Sequence, residues 1–225
     1  MAPITRQMLA FMLETLSQRD RATARHSAAV ARYARELCQA AGGTDAEQQL
    51  VHTAGLLHDV GKTSFPDHIF AGDRPLSNDD WEIIRRHPEE GAQIISEMPG
   101  FGNVAEIVLC HHERIDGRGY PRALKDDDVP WPSRMISVAD TFDVMTARDS
   151  YREPLSHAAA VLELRRVAGS QLDRRLVSVF VEMVEGRRLA FVPKDIDVLA
   201  ELRASGEARV FADAGQPLWA AAAAA

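Results

Sequence analysis

From residue 5 to residue 185 the apolar residues of this chain recur at intervals of three and four. That is the period of an α-helix and not the two-residue period of a strand. Met8, Phe11, Met12 and Leu16 mark a helix over 5–18, and His26, Val30, Tyr33, Ala34 and Leu37 share one face of a second over 21–41. Gly42 and Gly43 stop it, and Thr44-Asp45-Ala46-Glu47 reads as a capping box. The helix so opened carries Leu50, Ala54, Leu57 and His58 on one side. A loop is expected from Lys62 to Leu76, then a short helix capped by Ser77 that holds Trp81, Ile84 and His87. Pro88 suits the first turn of the next helix, which ends at Pro99-Gly100. Further helices are expected at 103–112, from Ser133, at 156–168, at 173–185 and at 194–204, with a Gly- and Pro-rich stretch over 113–132. Strand signals are confined to Leu189–Val192 and Arg209–Phe211. The fold class is therefore all-α. An N-terminal helix (1–19) and a main helical domain (20–185) precede a small irregular extension (186–225), which closes on Trp219 and a low-complexity run of alanines.

The formal charge of −7 comes with no long basic block, which argues against a nucleic-acid polymer as partner. A small phosphorylated ligand is still compatible, because a local cluster can oppose the overall sign. Cys38 and Cys110 fall inside apolar helical patterns with no CxxC pair, as buried free thiols in a reducing compartment do. The chain shows no secretory signal and no apolar run long enough to span a bilayer, so a cytoplasmic protein without a membrane contact is expected.

The chemistry centres on His58-Asp59-Val60-Gly61-Lys62, at the end of an apolar helical run. Neighbouring side chains on a helix point about 100° apart, so His58 and Asp59 do not suit one ion as an i, i+4 pair would. They suit an arrangement in which the imidazole holds one ion and the carboxylate reaches across to share a second. Gly61 is expected in the left-handed conformation that ends helices, leaving Lys62 free to meet an anion. His26, His87, His111 and His112 also occupy apolar-face or helix-end positions, and Asp140 shares a face with Ile136, Ala139 and Asp143. A soluble core has no reason to bury so many polar groups without partners. Imidazole and carboxylate without thiolate suit iron, manganese, zinc or nickel and argue against a structural zinc. His26, His58, Asp59, His87, His111, His112 and Asp140 are too many for one ion and fit two, with Asp59 as the bridge. Two such ions activate a water and clamp a phosphoryl group. Lys62, Arg114 and Arg118 can offset charge on phosphate oxygens, so metal-assisted phosphoester hydrolysis is the chemistry expected.

Five segments carry a resemblance. They are Thr23-Ala-Arg-His26-Ser27, His58-Asp59-Val-Gly61-Lys62, Arg86-His87-Pro88-Glu-Glu-Gly91, His111-His112-Glu113-Arg-Ile-Asp116-Gly117-Arg-Gly119-Tyr120-Pro121 and Ala139-Asp140-Thr-Phe-Asp143. In order and spacing over about residues 20–185 they resemble the HD-GYP family, part of the HD superfamily of metal-dependent phosphohydrolases. The resemblance implies an HD-type helical bundle and a bacterial cyclic di-GMP phosphodiesterase that opens the ring to pGpG and continues to GMP. It implies His26, His58, Asp59, His87, His111, His112 and Asp140 as ligands of two divalent ions, iron or manganese first. Asp59, Lys62 and Asp143 are the implied catalytic set, with Lys62 on a phosphate and Asp143 supporting the metal site. Gly119, Tyr120 and Pro121 would line the ligand pocket. Glu113 and Asp116 would either orient the histidines or order their loop.

Two positions depart from the family pattern. Some members carry a Glu four residues before the first His, adding a third metal, whereas this chain has Ala22. Two ions are therefore expected. After the last Asp, the family's arginine position falls on Asp149, with Arg148 beside it. A carboxylate 4 Å from a phosphate would be repelled by roughly 4 kcal/mol at a surface-like dielectric, so either Arg148 takes over or ligand affinity is weakened. The expected reaction is attack by a hydroxide bridging the two ions. Its rivals are hydrolysis of another cyclic dinucleotide and a receptor that binds without hydrolysing. A homodimer or protein contact is expected through the helices or the 186–225 extension.

Overall fold

The computed structural model describes residues 2–71, 74–147, 153–189 and 196–204. Its helices are α1 (Ala2–Arg19), α2 (Arg21–Ala40), α3 (Asp45–Leu57), α4 (Asp67–Ala71), α5 (Asn78–Ile84), α6 (His87–Ser96), α7 (Gly102–Leu109), α8 (Trp131–Thr146), α9 (His157–Val167), α10 (Arg174–Glu185) and α11 (Val198–Ala204). A 3₁₀ turn, Val60–Ser64, links α3 to α4. Among the described residues there is no strand, only isolated bridges between Asp116 and Lys125 and between Ala168 and Leu172. No described helix is long and apolar enough to cross a membrane. The chain is all-α, as its periodicity implies.

Caps set the helix starts where the sequence indicates them. Asp20 takes the Ala22 and Thr23 N–H groups at the head of α2. Thr44 and Glu47 close a reciprocal capping box on α3. The centre is α2 packed along α3 and α8, with Leu37, Leu50, Leu57, Ile107, Phe142 and Phe180 buried in one apolar cluster. Leu9 and Leu13 seat α1 on this body. At the far end of the chain, α11 docks through Glu201, which lies between Arg32 of α2 and His52 of α3. Cys38 and Cys110 are buried free thiols.

Several local expectations are corrected. The 62–76 stretch is not a plain loop: it contains the rest of the 3₁₀ turn and α4, elements too short for a periodic pattern to reveal. Gly61 is not left-handed. It lies inside the 3₁₀ turn, packed on the start of α6, where an added Cβ would stand 2.1 Å from the His87 carbonyl oxygen and 2.7 Å from the Gly91 nitrogen. His87 lies beyond α5 and opens α6. The 103–112 helix ends at Leu109, so His111 and His112 stand in the turn after it. Ser133 does not open α8, which begins at Trp131 behind Pro130; its hydroxyl donates to the Ile107 carbonyl instead. The helix expected at 194–204 runs over Val198–Ala204. Residues 190–192, Arg209–Phe211 and Trp219 lie outside the described residues.

Candidate metal centre

Three histidines reach the centre by the same local device. His58 follows α3, His87 follows α5 and His111 follows α7, each three residues after a carbonyl of the last helical turn. The Nδ1 of His58 donates to the Gly55 carbonyl at 2.7 Å, that of His87 to Ile84 at 2.7 Å and that of His111 to Val108 at 2.6 Å. Those carbonyls have no partner within the helix, so each imidazole caps its own helix end. A carbonyl only accepts, so the ring proton of each histidine sits on Nδ1 and the Nε2 lone pair is free. Three helix C-termini, with their partial negative charge, thus converge where a cation is favoured.

The lone pairs meet in a way that calls for a cation. His87 Nε2 and His111 Nε2 stand 3.2 Å apart with no proton between them. His87, His111 and His112 form one group able to hold an ion, and His26, His58 and Asp140 form a second, with ligand atoms inside each within 4.8 Å of one another. Asp59 lies between the two. Its Oδ1 is 3.4 Å from His87 Nε2, while Oδ2 is 3.5 Å from His58 Nε2 and 3.9 Å from His26 Nε2. Lys62, one turn on, holds Oδ2 at 2.7 Å. Burial by itself would raise the Asp59 pKa, but Lys62 and the surrounding imidazoles hold it well below the ordinary carboxylate range. Burial also pushes His87 down to about 3 and His112 to about 4, and lowers His58 and His111. Four neutral imidazoles beside an ionised carboxylate are the protonation state that metal binding requires. The residues present therefore fit divalent cations.

His26 is supported differently. Its Nδ1 faces Asp143 at 2.8 Å, and Asp143 is anchored by Arg25 at 2.6 Å. Its Nε2 lies 3.1 Å from Asp140. Burial lowers the His26 pKa, yet hydrogen bonds to Asp140 and Asp143 outweigh it and raise the value to about 10. The role of Arg25 was not read from the sequence, although it adjoins His26 within a recognised motif. Ala22 offers only a methyl group, and the Asp20 carboxylate is engaged in capping α2. The two thiols are raised to about 12 by burial, so neither is an anionic ligand.

The stretch after His112 folds back over the centre. Tyr120 stacks on His112 with ring centroids 4.9 Å apart, and its N–H donates to the His112 carbonyl at 3.3 Å. The Tyr120–Pro121 peptide is cis. At Gly119 a Cβ would stand 2.4 Å from the Arg114 nitrogen, so the backbone crossing there requires glycine. Glu113 accepts from the Arg122 and Leu124 N–H groups, and Asp116 binds the guanidinium groups of both Arg114 and Arg118. These two acids order the loop. Arg114 and Arg118 are thereby paired within it, and Arg114 also holds Gln171. Arg148 and Asp149 lie outside the described residues.

A family model for the HD domain matches residues 3–176. The chain is 32% identical over 180 residues to 3′3′-cGAMP-specific phosphodiesterase 2 of Vibrio cholerae, covering 79% of this chain and 34% of that protein. It is 33% identical over 175 residues to a cyclic di-GMP phosphodiesterase of Thermotoga maritima, covering 76% and 48% respectively. The chain thus spans between a third and a half of the length of these relatives. Among solved structures, a cyclic GMP-AMP specific phosphodiesterase of V. cholerae superimposes with a TM-score of 0.70 at 19% identity, over 91% of this chain and 54% of that one. At that identity the likeness speaks for the fold.

Proposed function

The chain belongs to the HD domain family, and we propose that it is a metal-dependent phosphodiesterase that opens cyclic di-GMP to linear pGpG. The observation that carries this reading is Asp59, whose two oxygens face two separate imidazole groups. His26, His58 and Asp140 would hold one ion, His87, His111 and His112 the other, and Asp59 would touch both. Ala22 supports two ions rather than three, and a donor set of imidazole and carboxylate favours iron or manganese. Bound there, the ions would lower the pKa of a water and offset charge on the phosphoryl oxygens.

The protein's own groups have distinct tasks. The Lys62 ammonium has three donors, one engaged with Asp59, which leaves donors for a phosphoryl oxygen. Asp143 fixes the His26 ring through Nδ1 and keeps Nε2 directed at the metal position. Burial, with the nearby Asp140 and Asp59 charges, raises the Tyr120 pKa, so its hydroxyl stays protonated and can donate to a substrate oxygen. Opening of 3′3′-cGAMP is a second reading, favoured by the V. cholerae relative of that specificity.

The test is incubation of the protein with cyclic di-GMP and Mn²⁺ or Fe²⁺, followed by separation of the nucleotides. Accumulation of pGpG is expected, and Asp59→Ala should lower turnover by roughly a hundredfold or more. Undiminished turnover by that variant would sink the mechanism. Tight binding by metal-loaded wild-type protein without product would favour a receptor.

A further inference from the structure

One face of α5 stands out beside the metal centre. Asn78, Trp81, Glu82 and Arg85 follow one another at i, i+3, i+4 and i+7, so they lie along a single side of the helix. Together they line an open surface depression of about 530 Å³, every lining residue being exposed. Trp81 is 49% exposed, a large aromatic surface left open where the core could have covered it. None of the four side chains has a hydrogen bond, ion pair or ring contact with another described residue. Neighbouring charges behave differently: Arg74 and His68 are tied to Asp80, and Arg114 and Arg118 to Asp116. Glu82 and Arg85 keep their charges for something else.

The depression lies on the helix that ends just before His87. Arg85 closes α5 two residues before His87. Its positive charge is close enough to Tyr120 to oppose the upward push of burial on that hydroxyl. Tyr120 in turn stacks on His112. A ligand held on Trp81 would therefore lie beside the Tyr120 face of the metal centre.

We propose that the Asn78–Trp81–Glu82–Arg85 face is a guanine subsite for one base of the cyclic dinucleotide. It rests on the phosphodiesterase reading above. Trp81 is the stacking platform, since every nucleobase has a π-face and an aromatic surface holds it without hydrogen bonds. Glu82 selects guanine, whose N1–H and N2 amino group both donate to a carboxylate. Adenine presents an acceptor at N1 and a single amino donor, N6, beside it, so the carboxylate loses one of its two partners. Arg85 donates to the O6 and N7 acceptors of the same base.

The experiment uses metal-loaded full chain in three forms: wild type, Glu82→Gln and Trp81→Ala. It measures kcat and KM for cyclic di-GMP, with cyclic di-AMP as a competitor. Metal content and melting temperature of each variant serve as folding controls. Glu82→Gln should raise KM for cyclic di-GMP roughly tenfold with kcat within twofold, because the contact is made equally in the ground and transition states. It should also narrow the gap in affinity between cyclic di-GMP and cyclic di-AMP. Trp81→Ala should weaken both nucleotides roughly tenfold or more. The subsite is overturned if wild type turns over cyclic di-GMP while both variants keep KM within twofold, or if Glu82→Gln weakens both nucleotides alike. If wild-type protein converts no cyclic dinucleotide at all, the phosphodiesterase reading falls and the subsite falls with it.

Discussion

The carboxylate of Asp59 and the imidazole of His87 face each other, Oδ1 to Nε2, at 3.4 Å. The two residues sit at the ends of different helices, Asp59 just after α3 and His87 as the first residue of α6. His58, adjacent to Asp59 in sequence, groups with His26 and Asp140, and also with Asp59 and His111. One peptide unit at the end of α3 thus serves both groups, and Gly61 lets the following turn pack closely enough on α6 to hold them in register.

Among the described residues, the Asp143 carboxylate reaches the candidate centre through His26, with Arg25 anchoring it, so its effect should appear in metal affinity. Asp143→Asn keeps the shape and removes the charge that holds the ring. Loss of such a supporting acceptor lowers affinity by about 10- to 100-fold. Competition with a chelator should show one weakened ion per chain. Unchanged affinity at both sites would contradict the role given to Asp143.

Proton release follows from the unequal histidines. In the metal-free protein His26 is raised to about 10, whereas His87 and His112 are lowered to about 3 and 4. At pH 7 only His26 must give up a proton to become a ligand. Calorimetry of metal binding in buffers of different ionisation enthalpy should therefore report at least one proton released per chain, any second one coming from a metal-bound water. Apparent affinity should rise about tenfold per pH unit between pH 5 and 9. The sign for the metal-free fold is opposite. A raised His26 pKa stabilises that fold fully below about 6.5, and the stabilisation is lost as pH rises through about 10. Zero proton release would contradict the arrangement at His26.

Gly61→Ala tests the close approach of the turn to α6. The added methyl meets backbone atoms, the His87 carbonyl oxygen and the Gly91 nitrogen, which cannot swing aside as a side chain can. Overpacking of this kind costs about 1–3 kcal/mol, and it displaces His87 from Asp59. Urea unfolding should show the lost stability and metal analysis a reduced content. A variant as stable and as metal-loaded as wild type would show that the glycine has no such role.

The helices were legible where they were long and capped. Thr44 and Glu47 fix the start of α3 by local hydrogen bonds that their spacing in the sequence reveals. The family and the candidate ligands were legible because five motifs stand in order along the chain. The means of orientation were not. That His58, His87 and His111 each cap their own helix depends on where α3, α5 and α7 end, and α7 ends three residues before the expected point. Arg114 and Arg118 look like phosphate ligands in one dimension. Only the folded loop shows that Asp116 pairs with both. Gly61 was read as a helix terminator, because glycine's tolerance of positive φ is a local property and close packing against α6 is not.

The measurement that bears most directly on the centre is elemental analysis of protein purified without oxygen, expressed as ions per chain. Two imidazole groups joined by Asp59, with Ala22 supplying no further ligand, give an expected ratio near two, as iron or manganese. A ratio near one would contradict the bridging role of Asp59, and a ratio near three would contradict the reading of Ala22.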